Sequence, residues 1–186
     1  MVMSSNTINF FLYDPISWMH RDHFSIPAIF NNKVCRSIFN SAVINFYSLP
    51  IDSTFNQNYV ERYIIENWKS MLQVSFMLAC LRYRSLLFHS GKIVKLDENI
   101  RNFFKLNIID DFFLVEKNDF ADIDFWLLAR NELFIFQDYL SDTVIKRLAI
   151  LFPRIDNNDS NFAKINPQFS LLKLAVQYAK RYQYNR

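Results

Sequence analysis

Gly91 is the single glycine in a chain of 186 residues, and none of the five prolines falls between Ile51 and Phe152. Phosphate-cradling loops, dinucleotide fingerprints and tight hairpins all need glycine at positive φ, so P-loop, Rossmann and hairpin-rich β folds are disfavoured together. A proline-free middle is open to uninterrupted helix. Hydrophobic residues make up 51% of the chain and charged residues 21%, enough to drive burial of a core. At this length the expectation is one domain, residues 1–186.

Periodicity supplies the elements. Asp14-Pro15 has the form of a helix start, with a short helix through His20 and a flexible lead-in over residues 1–13. Val34, Ile38, Ala42 and Phe46 recur every four residues, with Cys35, Phe39 and Val43 alongside, which predicts a core-facing helix ending before Pro50. Asn58 with Glu61 resembles a capping box ahead of Val60, Ile64 and Trp68. From Met71 to His89 apolar residues run almost all round, as in a central buried helix, and Gly91 stands where a left-handed C-cap would end it. Further helices are expected after Asp97, after Asp122 or Asp124, after Ser141 and after Asn166-Pro167, with a surface loop over residues 154–165. The predicted fold is all-α, a compact single-domain bundle of seven or eight helices.

Charge and cysteines narrow the function. A net charge of +3 lacks the crowded basic face of a dedicated nucleic-acid binder, so no nucleic acid is expected. Cys35 and Cys80 have no short-spaced partners and suggest neither a disulfide framework nor a zinc cage, which fits a reducing cytosol. The N-terminus lacks a basic segment followed by an apolar one and does not read as a secretory signal. The most apolar run, Met71 to Leu81, is too short to span a bilayer, so no direct membrane insertion is expected.

The stretch "YDPISWMHRDHF", Tyr13 to Phe24, concentrates Asp14, Ser17, His20, Asp22 and His23. Read chemically, His20 and His23 with Asp22 give a loose zinc-like spacing, and the alternative functions are a small metal-dependent hydrolase using His20 and His23 or another helical protein-interaction module. A Ser17–His20–Asp14 relay is disfavoured, because residues three apart on one helix form a stripe and do not surround a substrate. Cys80, inside "MLACL", reads as a buried inert thiol. The favoured reading is a capped helix start, with no catalytic residue, metal or cofactor.

Charge is segregated along the chain. Asp110, Asp111, Glu116, Asp119, Asp122 and Asp124 are interleaved with Phe112, Phe113 and Phe120, and Arg82 and Arg84 belong to an earlier basic group. Acidic groups beside exposed aromatics can supply both steering charge and anchors, so Asp110, Asp111, Phe112, Glu116, Asp119, Phe120, Arg82 and Arg84 are candidate partner-binding residues. Residues 110–124 fit helix, strand or loop alike.

Four separated segments carry a resemblance: "FFLYDPISWMH" (Phe10 to His20), "NWKSMLQVSFMLACLRYRSLL" (Asn67 to Leu87), "KRLAILFP" (Lys146 to Pro153) and "LLKLAVQYAKRY" (Leu171 to Tyr182). In this order they resemble the SctK family of bacterial type III secretion systems, the group that includes OrgA and MxiK. Asp14, Pro15 and His20 match its N-terminal motif, Trp68, Gln73 and Val74 the middle one, and Tyr178 the "QYAK" end. The resemblance implies fold-defining roles for these residues. It also implies a cytoplasmic adaptor of the sorting platform, peripheral to the inner membrane through its protein partners. Those partners would be the cytoplasmic domain of the inner-membrane ring protein and the pod protein that holds the stator and ATPase. Leu72 stands where relatives carry Pro and Ala79 where they carry Gly, so a straighter middle helix is expected.

Overall fold

A computed structural model describes residues 3–52, 58–89, 91–106, 125–154 and 166–183. Among the described residues there are nine α-helices, four short 3-10 turns and no strand. They form two compact units: residues 1–69 with 136–158, and residues 70–135 with 159–186. The first boundary falls inside the first turn of one helix, Trp68–Arg82.

The first unit begins with α1 (Ser5–Tyr13), which buries Phe11 and Leu12. Expectation and structure differ here: the supposed lead-in is helical, and Asp14-Pro15 follows that helix instead of starting one. Beyond Asp14 only a 3-10 turn forms, Pro15–Ser17. Next comes α2 (Lys33–Phe46), whose N-cap Asn32 accepts from the Cys35 N–H at 2.9 Å. It ends in a Schellman arrangement. Ser48 sits at φ +47, with Ser48 N–H donating to Asn45 O (3.1 Å) and Leu49 N–H to Ile44 O (2.9 Å).

The core-facing side of α2 is the Val43 side, with Cys35 and Phe39 half-buried, and not the row of four-residue spacing. Val43 and Ile44 are its buried residues, while Val34, Ile38, Ala42 and Phe46 face solvent. Four-residue spacing identified one apolar face, but no described residue of this unit covers it.

In α3 (Tyr59–Glu66), Asn58 accepts from the Val60 N–H at 2.9 Å. Glu61 does not close the capping box back onto Asn58. Its buried carboxylate accepts from the Ser141 N–H at 2.8 Å, at the start of a helix distant in sequence. That helix is the unit's last, Asp142–Leu151. Ser141 holds the N-cap position there without a side-chain cap, so the carboxylate of Glu61 serves this helix start instead.

The second unit carries most of α4 (Trp68–Arg82), then α5 (Arg84–His89), α6 (Glu98–Phe104), α7 (Phe125–Phe134) and α9 (Phe169–Gln183), with α8 being the Asp142–Leu151 helix of the first unit. The predicted central helix is thus two helices meeting at Tyr83. Met71, Val74, Met77, Leu78, Ala79, Cys80 and Leu81 are buried, as expected of an apolar run without a polar face. Gly91 takes φ +64, and its N–H donates to Phe88 O at 3.1 Å just past α5. On α9, Leu172, Val176 and Ala179 are buried along one stripe, and Phe169 at its start is half-buried.

Candidate functional site

The N-terminal motif residues are gathered by the turn that follows α1. Ser17 Oγ donates to Asp14 Oδ2, Asn40 Nδ2 donates to Asp14 Oδ1 at 2.9 Å, and the Ile16 N–H donates to Asn40 Oδ1 at 3.1 Å. Arg36 adds a bond from Nη2 to Ser17 Oγ at 2.6 Å and lies 3.6 Å from Asp14 Oδ1. Asp14 therefore does not cap a helix. It pins the 3-10 turn to α2, along a cleft of about 410 Å³ lined by Asp14, Arg36 and Asn40. Buried Pro15 sits beneath this network.

These distances also settle the relay question for Ser17. Its oxygen is tied to a carboxylate and a guanidinium, and no bond joins it to His20. His20 uses its backbone N–H on Ile150 O (3.0 Å), and its Nδ1 accepts from the Asp22 N–H at 3.3 Å. His23 turns away to other partners: Nε2 is 2.8 Å from Phe152 O and Nδ1 is 3.3 Å from Tyr47 Oη. Because a carbonyl only accepts, Nε2 carries the proton and Nδ1 accepts from the tyrosine hydroxyl. Burial lowers the pKa of His23 below 6.5, against the raising effect of the Phe152 carbonyl. Among the described residues no three His, Cys, Asp or Glu side chains are grouped to hold a metal ion. Burial pushes the Cys80 thiol up to about 12, so it is no nucleophile at neutral pH.

The first and middle motifs meet at Trp68. Its fully buried ring forms T-shaped pairs with Phe11 (centroids 4.7 Å apart) and Trp18 (5.3 Å), and Trp18 Nε1 donates to Phe10 O at 3.1 Å. Gln73 is half-buried and Val74 fully buried on α4, and both belong to the second unit. Tyr178 packs on Phe103, 5.4 Å between centroids, where α9 meets α6.

Of the basic candidates, Arg82 is corrected outright. It is buried and pairs with Glu132 through two hydrogen bonds, so it offers nothing to a partner. Burial raises the Glu132 carboxyl above the usual range, outweighing the lowering effect of Arg82. Arg84 is half-buried. Asp110, Asp111, Phe112, Glu116, Asp119 and Phe120 lie outside the described residues.

One residue that the sequence reading passed over organises the first unit. Arg147 is fully buried and donates to four carbonyls: Phe11 (3.2 Å), Leu12 (3.1 Å), Pro50 (2.8 Å) and Thr143 (3.1 Å). Two of these are the last-turn carbonyls that α1 leaves without helical partners. Desolvation lowers Arg147 to about 10, which still leaves it charged at neutral pH. Its spacing carried a signal, because Arg147 falls on the face of α8 that holds Val144, Leu148 and Leu151.

An all-α protein emerges whose motif residues are spent on turns, caps and aromatic packing. The chain belongs to the family of bacterial type III secretion apparatus proteins (OrgA_MxiK), which it matches over residues 9–181. It is similar to the oxygen-regulated invasion protein OrgA of Salmonella typhimurium strains 14028s, SL1344 and LT2. With each it shares 22% identity over 175 residues, 92% of this chain and 85% of the relative. No solved structure matches it. Among the described residues no helix is long and apolar enough to cross a membrane.

Proposed function

We propose that this chain is a non-enzymatic adaptor of the type III secretion sorting platform. It links the cytoplasmic domain of the inner-membrane ring protein to the pod protein that carries the stator and ATPase. Its place is the cytoplasmic face of the inner membrane, reached through those partners. The observation that carries the reading is membership of a secretion-apparatus family across residues 9–181. The fate of the motif residues supports it: Asp14, Trp68 and His20 are consumed in holding the fold. Type III secretion assembles many protein surfaces on one another, and a chain that presents surfaces suits that work.

The test is reconstitution from purified components. The chain should co-elute with the pod protein and, separately, with the ring protein's cytoplasmic domain, and should bridge the two when all three are mixed. Charge reversal within residues 110–124 (Asp110→Lys, Asp111→Lys, Glu116→Lys) or at Arg84 (Arg84→Glu) should weaken one partner and spare the other. Failure to bind either component at micromolar concentration would overturn the reading.

A further inference from the structure

The outer face of α2 carries apolar side chains that packing among the described residues of the first unit leaves exposed. Val34 is 70% exposed, Ile38 62% and Phe46 79%, and Ile29, in the 3-10 turn Ala28–Phe30 just before the helix, is 80% exposed. Singly exposed apolar residues are ordinary, but an apolar row along one helix face marks an interaction surface. From Val34 to Phe46 the row spans about 18 Å, or three turns.

At its C-terminal end the row opens into a cleft of about 310 Å³, whose walls include Phe24, Phe39, Phe46 and Tyr47. Phe24 and Phe39 lie 5.3 Å apart between ring centroids, so the wall is built of rings in mutual contact. Arg154 stands at the rim beside His23, and among the described residues no carboxylate lines the cleft. No ion pair engages Arg154 among the described residues. No acidic residue occurs in α2 itself.

We propose that this face, from Ile29 to the cleft beneath Phe46, docks an acidic amphipathic helix of a partner protein. Three turns of partner helix would lay apolar side chains along Val34 and Ile38, seat one large apolar side chain in the cleft, and bring a carboxylate to Arg154. A second copy of this chain fits less well, because its own α2 brings no carboxylate to meet Arg154. A lipid surface also fits less well, since binding there relies on a cluster of several basic residues and on no aromatic-walled concavity. The proposal deepens the adaptor reading and rests on it for its biological meaning.

The experiment uses the full chain and two synthetic helical peptides of 14 residues with the same Leu/Phe apolar face, one with a glutamate and one with a lysine polar face. Fluorescence anisotropy should show the glutamate peptide binding roughly tenfold more tightly than the lysine peptide. Ile38→Ser and Phe46→Ser should each weaken it by roughly tenfold with the thermal midpoint unchanged, and Arg154→Glu should reverse the preference. Equal binding of the two peptides, no binding, or insensitivity to Ile38→Ser would overturn the proposal. So would an Ile38-dependent dimer in sedimentation, or Ile38-dependent pelleting with phosphatidylglycerol vesicles. The two readings fail separately. Peptide binding without co-elution of the secretion components removes the adaptor role and keeps the surface; co-elution that survives Ile38→Ser, with no peptide binding, does the reverse.

Discussion

Arg82 on α4 and Glu132 on α7 form a doubly hydrogen-bonded ion pair in which each side chain is only 3% exposed, with Nη2 to Oε2 at 3.0 Å. Neither charge has water to fall back on. Arg82→Met should therefore cost about 3–5 kcal/mol, measured by denaturant unfolding, because it strands a buried carboxylate. The double variant Arg82→Met with Glu132→Leu should recover most of that loss. The pH dependence checks the cause. Without Arg82 the folded-state pKa of Glu132 moves further above its unfolded value. The variant's stability is then greatest at acidic pH and falls as pH rises through the folded value. Its deficit against the wild type should shrink between pH 7 and pH 5.

Arg147→Met should destabilise the first unit by about 3 kcal/mol or more, since it takes the side-chain donor from the carbonyls of Phe11 and Leu12, whose bonds to it are buried, and from that of half-buried Pro50. At this chain length that corresponds to a fall of roughly 6–12 °C in the thermal midpoint. Arg147→Lys should fall between the two, keeping the charge and losing the planar fork. Limited proteolysis should cut near Tyr13 faster in Arg147→Met than in the wild type.

Ser48→Gly should stabilise the protein. Ser48 holds φ +47, a conformation that costs a side-chain-bearing residue energy and glycine almost none. A gain of about 0.5–1 kcal/mol is expected in urea unfolding. A loss there would mean that the serine side chain contributes more than its backbone costs.

His23 should make stability pH-dependent. Its folded-state pKa is lowered by burial, so the stability it contributes is present above the unfolded value of 6.5 and lost as pH falls toward the folded one. Protonation also puts a hydrogen on Nδ1, where the Tyr47 hydroxyl now donates. Between pH 7.5 and 5 the wild type should lose more stability than His23→Gln, which has no proton to gain.

The helical character of the chain was legible because one glycine and a proline-free middle leave few other folds open. The burial of Cys80 followed from its apolar surroundings in "MLACL". Three features were not legible, each for a physical reason. Asp14-Pro15 has the form of a helix start, and only tertiary partners, Asn40 and Arg36, show that the carboxylate is used elsewhere. Spacing gave α2 an apolar face but says nothing about what covers it. Arg147 drew no notice because an arginine is seldom buried, although its position on the inward stripe of α8 pointed there. Arg82 misled in the same way: an arginine's burial depends on whether a carboxylate 50 residues away is positioned to receive it.

The guanidinium of Arg147 has a consequence for how this chain is made. The carbonyl of Phe11 must wait for a donor 136 residues downstream, and the segments between them include much of the other unit. On the ribosome, α1 leaves the exit tunnel long before its clasp has been translated. Until Arg147 has emerged, the last turn of α1 is without the donor that closes it.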